Sequence, residues 1–175
     1  MKNTLLLLAT ILAFGACSDE SSTSGYPVYF SCDASIYPYN AVHGLGQYII
    51  ITQSGGKHSY KVRYYEGSGE TEKTEQLTAI QIQQGTFHYG LGGLIIGRPS
   101  AMSDGNIYAF DLACPKCELR SRKLTVTQPI GQAHCTKCSS KYDLNSGGIP
   151  IEGDSRPMWR YKVAESMPPY IVVSN

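Results

Sequence analysis

The sequence predicts an all-β domain, a barrel or sandwich of short antiparallel strands. Three observations carry that reading. Segments rich in β-branched and aromatic residues recur at short intervals along the chain. Turn residues separate them: Gly55-Gly56, Gly67-Ser68-Gly69, Gly92-Gly93, Asp104-Gly105 and Gly147-Gly148. No segment carries an apolar stripe at helical spacing over three turns, and Asn145 to Gly148 and Pro168-Pro169 would stop a helix where they stand. With 42% hydrophobic and 17% charged residues the chain has enough apolar surface for a packed core, which excludes wholesale disorder.

The expected strands, in order, begin with Tyr26–Cys32 (YPVYFSC), where aromatic and β-branched residues cluster. Gln47–Thr52 (QYIIIT) is rich in β-branched and aromatic residues. Ser59–Tyr65 (SYKVRYY) alternates, with Tyr60, Val62 and Tyr64 on one face. Leu77–Gln83 (LTAIQIQ) alternates at Ile80 and Ile82 and reads as a further strand. Leu94–Gly97, Ile107–Leu112, Lys123–Thr127, Trp159–Val163 and Tyr170–Val173 complete the set. Residues 54–75 are polar at both ends with a strand-like middle, which reads as a hairpin inserted on the main sheet. No internal repeat marks a second domain, so residues 26–175 are expected to form one.

The first segment reads as an address. Residues 1–16 (MKNTLLLLATILAFGA) place Lys2 before an apolar run from Leu5 to Phe14, too short to span a bilayer and built like a secretory signal peptide. Gly15 and Ala16 precede Cys17, a pattern that resembles the lipobox of bacterial lipoproteins, with Phe14 where leucine is usual. The resemblance implies that Cys17 is lipidated and becomes the new N-terminus, and several acyl chains on one residue anchor a protein firmly. Residues 17–25 then read as the lipidated cysteine and a flexible tether. The acidic stretch after Cys17 resembles surface-export signals of Bacteroidetes lipoproteins. The implied location is the cell envelope, anchored by lipid to a bacterial membrane, the outer membrane first, on its periplasmic or surface face.

The whole chain has 15 basic and 14 acidic residues, and loss of Lys2 with the signal would leave the two equal. That balance gives no electrostatic case for nucleic acid as a partner or for an anionic membrane surface.

Six cysteines are too few for a disulfide-dense scaffold. Four form the pairs Cys114-Pro-Lys-Cys117 and Cys135-Thr-Lys-Cys138, separated by 17 residues. The pattern C-x₂-C-x₁₇-C-x₂-C fits a four-thiolate metal site. A C-x-x-C turn lets two sulfurs converge on one ion, and two such turns on neighbouring hairpin loops supply a tetrahedron suited to Zn²⁺ or iron. Lys116 and Lys137, one inside each turn, offset part of the thiolate charge. Two disulfides, or redox dithiols whose thiolates the lysines favour, are the competing readings. His134 precedes Cys135 and, on an extended strand, points away from it. His43, His58 and His88 have no partners at ligand spacing, and Cys32 reads as a free buried cysteine.

The flanks of these pairs resemble a Rieske domain. Ile107-Tyr-Ala-Phe-Asp-Leu-Ala-Cys114-Pro is similar to the strand and first cluster loop of that family. Cys135-Thr-Lys-Cys138-Ser-Ser-Lys-Tyr-Asp-Leu-Asn-Ser-Gly147 is similar to its second loop and following strand. Residues 150–163 continue the similarity through Gly153, Arg156, Pro157 and Tyr161. The resemblance covers residues 90–175 and implies a metal-binding subdomain at about 106–150. Cys114 and Cys135 match ligand positions of the family, in which two histidines hold the second iron. Here Lys116 stands at the first histidine position and Cys138 at the second, with Cys117 following the lysine. The resemblance implies a [2Fe–2S] cluster, here on four cysteines, and electron transfer to an unnamed redox partner. The ligand count alone implies a single Zn²⁺ or rubredoxin-like iron and a structural, binding role on the envelope. A signal lacking a twin-arginine pair favours an ion that loads after export. Both centres stay open at this point. No Ser/His/Asp triad or paired-carboxylate motif is present, so the pattern fits an electron-transfer or binding protein rather than a catalyst.

Overall fold

A computed structural model describes residues 24–56, 58–67, 69–85, 87–101, 104–128, 130–165 and 169–175. The signal segment and Cys17 lie outside these residues. The protein is mostly β, with two antiparallel sheets and, among the described residues, a single short α-helix. The strands are β1 (Val28–Asp33), β2 (Gln47–Gln53), β3 (Ser59–Glu66), β4 (Gly69–Gln76), β5 (His88–Tyr89), β6 (Leu94–Arg98) and β7 (Tyr108–Asp111). They continue with β8 (Thr125–Thr127), β9 (Gln132–His134), β10 (Lys141–Asp143), β11 (Ile149–Glu152), β12 (Arg160–Glu165) and β13 (Tyr170–Ser174). Nine of them form one sheet in the order β4-β3-β2-β6-β7-β12-β13-β1-β5, and four form a second in the order β11-β10-β9-β8.

The large sheet curls back on itself. Phe30 of β1 and Tyr60 of β3 are separated by five strands in the sheet order, yet their rings meet edge to face at 5.5 Å. Together with Ile49, Ile51, Val62, Leu94, Ile96, Ile171 and Val173 they fill one core. The opposite face of the same central strands carries Tyr48, Ile50, Ile95, Phe110 and Leu112, and these pack against Val126, Ala133, Tyr142 and Leu144 of the small-sheet region. β2 and β6 are therefore buried on both faces, which is why their centres, YIII and LIIG, are unbroken apolar runs. β3 faces the core on one side only and keeps the alternation of Tyr60, Val62 and Tyr64. Gly97 has a steric reason: a Cβ there would sit 2.0 Å from the Gln47 carbonyl oxygen on the neighbouring strand.

Side chains lock the small sheet onto the large one. The Gln128 amide accepts from the Tyr48 N–H (3.2 Å) and donates to the Tyr48 carbonyl (2.6 Å). Tyr48 donates its hydroxyl to Asn145 Oδ1 (2.8 Å), and the Asn145 amide donates to the Ile130 carbonyl (3.0 Å). Tyr65 reaches across to the Val126 carbonyl (3.1 Å). The N-terminal approach is pinned as well: Asn175 accepts from the Val28 N–H and donates to the Ser24 carbonyl.

One expected strand is corrected. Leu77–Gln83 does not extend a sheet; Ala79–Gln84 forms the α-helix, α1. Thr78 and Gln81 form a capping box, the Thr78 hydroxyl accepting from the Gln81 N–H and the Gln81 side chain accepting from the Thr78 N–H. Those two bonds satisfy orphan donors that a strand would have to place in a ladder. The apparent alternation at Ile80 and Ile82 is solvent-exposed and packs no sheet face. No helix among the described residues is long and apolar enough to cross a membrane.

Candidate metal centre

Each C-x-x-C pair sits where a strand leaves its sheet. Cys114 follows β7 of the large sheet, and Cys135 follows β9 of the small one. The two turns repeat the same backbone plan. The Glu118 N–H donates to the Cys114 carbonyl (3.0 Å), and the Ser139 N–H donates to the Cys135 carbonyl (2.9 Å). Glu118 and Ser139 are the two non-glycine residues with positive φ among the described residues, at 52° and 59°. Left-handed backbone at a residue bearing a Cβ costs of order 1 kcal/mol and persists where the surroundings enforce it. The base of each turn is closed by the first cysteine, whose N–H donates to the Arg122 carbonyl (2.8 Å) for Cys114 and to the Ser140 carbonyl (2.9 Å) for Cys135.

The two turns face each other. The ligand atoms of Cys114, Cys117, Cys135 and Cys138 all lie within 4.8 Å of one another, a group that could hold a metal ion. Between the turns, Cys114 and Cys138 approach to 3.6 Å and Cys117 and Cys135 to 3.8 Å. All four are free thiols; no disulfide joins them. Cys114 and Cys135 are buried, whereas Cys117 and Cys138 are partly exposed.

Polar neighbours tune the sulfurs. The buried Tyr142 hydroxyl lies 3.6 Å from Cys114 Sγ and 2.8 Å from Ser155 Oγ. Ser140 Oγ lies 3.4 Å from Cys138 Sγ. Burial alone would push the Cys138 thiol up, but the Ser140 hydroxyl and N–H and the adjacent Cys135 and Cys114 outweigh it and bring it down to about 6. Burial and then the neighbouring sulfurs push Cys117 up to about 12. Burial raises Cys114 against N–H donation from the turn that follows it. Lys116 and Lys137 are exposed on the two turns.

His134 is not among the converging ligands. It pairs with Thr125 and Lys141 in mid-sheet, on the face opposite buried Ala133. Among the described residues His43, His58 and His88 join no metal-capable group either. Cys32 is buried in the large core, where burial first and the Asp33 charge second push its thiol up to about 12.

One residue that supports the site escapes pattern reading. Asp111, fully buried at the end of β7, accepts from the Leu91 N–H (2.7 Å), the Gly92 N–H (3.0 Å), the Ala113 N–H (2.7 Å) and the Tyr161 hydroxyl (2.6 Å). It ties the backbone just before Cys114 to the 90–93 turn and to β12. Gly90 has φ +70°, and a Cβ there would come within 2.4 Å of the Asp111 carboxylate. A carboxylate inside the apolar stretch YAFDLA is the signal in the sequence, because a buried acid must be hydrogen-bonded to something. On the far side of the first turn Glu118 is ion-paired with Arg156, whose guanidinium lies 4.7 Å over the Trp159 ring.

No known family profile matches this chain, and no curated protein matches it. The findings establish a β-rich protein with a four-cysteine group able to hold a metal, and no family is identified.

Proposed function

We propose that Cys114, Cys117, Cys135 and Cys138 hold one tetrahedral ion, Zn²⁺, and that the protein is a metal-stapled β domain serving as a binding module on the cell envelope. The observation that carries this reading is the pair of matching turns that bring four sulfurs within 4.8 Å. A Zn–S bond of about 2.3 Å sets the sulfur–sulfur edges of a tetrahedron at about 3.8 Å. The contacts of 3.6 and 3.8 Å between the turns fit that edge. A two-iron cluster holds its thiolates on two separate irons and needs them more widely spread. When bound, the ion supplies charge neutralisation and a covalent-strength tie between the end of β7 and the end of β9. Four protein ligands complete the tetrahedron, which is the donor set of a structural site.

A second reading is electron transfer through a four-cysteine [2Fe–2S] centre or a rubredoxin-like iron. The resemblance of residues 107–115 and 135–163 to a Rieske domain favours it, as does the partial exposure of Cys117 and Cys138, which brings the centre close to a partner's reach. Lipid anchoring at Cys17 belongs to both readings and rests on the lipobox-like sequence. Metal and acid-labile sulfide analysis of protein purified from its native host separates them. One zinc per chain without labile sulfide supports the first reading. Two irons with two labile sulfides overturn it in favour of the second.

A further inference from the structure

The loop that carries Cys114 and Cys117 also borders a cleft through its later residues Arg120 and Lys123. The cleft has a volume of about 570 Å³ and lies between the 87–93 turn, the end of β2 and the returning limb of the loop. His88, Arg120 and Lys123 line it together with Gln53, and no Asp or Glu does so among the described residues.

We propose that this cleft binds the phosphate group of a phosphate-bearing small molecule through Arg120, Lys123 and His88. The first support is uncompensated charge. Like most of the described lysines and arginines, Arg120 and Lys123 have no carboxylate ion-pair partner among the described residues, and these two stand together on one cleft wall. In a chain whose charges nearly balance, two unpaired cations on one cleft wall are a local excess. The carboxylate of Asp111, behind the 90–93 turn, is spent on three N–H groups and the Tyr161 hydroxyl.

The second support is fixed geometry. Lys123 bridges to Ala113 in antiparallel fashion, and the Arg122 N–H donates to the Leu119 carbonyl (2.9 Å), so the limb bearing both cations is held to the sheet. Loss of water first, and then the Arg63 and Arg120 charges, hold the Lys123 ammonium below its usual range against the opposing charge of Glu72. A bound oxyanion would relieve that repulsion. An arginine fork matches phosphate oxygens in pairs, lysine adds a point charge, and the imidazole adds a further donor. The cleft is far larger than inorganic phosphate, and Pro27 and Phe87 give it an apolar side for the organic part of an ester.

The test uses the full metal-loaded protein, followed by amide chemical shifts of residues 53, 88 and 120–123. The probes are inorganic phosphate, glycerol phosphate, succinate, and vesicles with and without phosphatidate. Saturable shifts are expected with glycerol phosphate, weaker ones with inorganic phosphate, and both should fade as salt is raised. Response to phosphatidate vesicles alone would identify the same phosphate chemistry on a lipid headgroup. The double variant Arg120→Gln/Lys123→Gln should keep its metal and its near-ultraviolet circular dichroism and lose affinity about tenfold or more, equivalent to about 1.4 kcal/mol. No response to any phosphate probe at millimolar concentration, tighter binding of succinate, or unchanged affinity in the double variant would each overturn the proposal.

Discussion

The two sheets are held in different ways. The large sheet has strands of up to eight residues, and its curled core is filled by Phe30, Ile49, Ile51, Tyr60, Val62, Leu94 and Ile96, all almost completely out of water. The small sheet has strands of three or four residues, and its buried side chains, Val126, Ala133, Tyr142 and Leu144, lean on the back of the large sheet rather than on each other alone. Strands that short bury too little to hold themselves together. The four cysteines lie at the junction, one pair on each sheet's exit loop. Burial stabilises the first region; in the metal-stapled reading proposed above, a cross-link makes up the deficit of the second.

The largest expected effect is therefore loss of the metal. Chelation, or Cys135→Ser, should release the ion and strip hydrogen-exchange protection from β8 to β11, while β2, β3 and β6 stay protected, because metal-binding energy is spent on folding the elements it joins. Equal loss of protection in both sheets would break the distinction. Next comes Phe30→Ala in the curled core, expected to cost about 3–5 kcal/mol and to leave metal stoichiometry at the wild-type value. Denaturant unfolding with metal analysis checks both halves of that statement.

Asp111→Ala should cost about 2–4 kcal/mol, since it strands three N–H groups and a tyrosine hydroxyl. Burial, opposed by those four hydrogen bonds, raises the Asp111 carboxyl above its ordinary range. A raised acid contributes stability below its unfolded value of about 4 and loses it as pH rises through the folded value. Wild type should therefore lose this contribution as pH climbs out of the acid range, and the variant should lack that part of the profile. The smallest effect is a gain. Ser139→Gly relieves left-handed backbone in the second turn and should stabilise by about 1 kcal/mol with metal retained. A measurable loss of stability would show that the Ser139 side chain does something its geometry does not reveal.

What the sequence made legible follows the same division. β2 and β6 stand out because burial on both faces leaves the unbroken apolar runs YIII and LIIG, and β3 because one-sided burial produces alternation. The four cysteines are legible because two sulfurs on one ion require the C-x-x-C spacing. β4 (GETEKTEQ) has no apolar pattern at all. It is held by backbone pairing to β3 and by the cross-strand pairs Lys61–Glu72 and Arg63–Glu70, which hydropathy does not register. The sequence signal for α1 is the capping pair Thr78 and Gln81, which the alternation of the two isoleucines masks. The strands β9 and β10 are only three residues long, too short to show a period, and the buried Asp111 depends on partners far along the chain.

The most direct test of the central claim is X-ray absorption at the metal edge of protein from its native host. The account predicts zinc with four sulfur neighbours at about 2.3 Å and no second metal nearby. An iron edge with a metal neighbour and bridging sulfide, or a histidine nitrogen in the first shell, would contradict it.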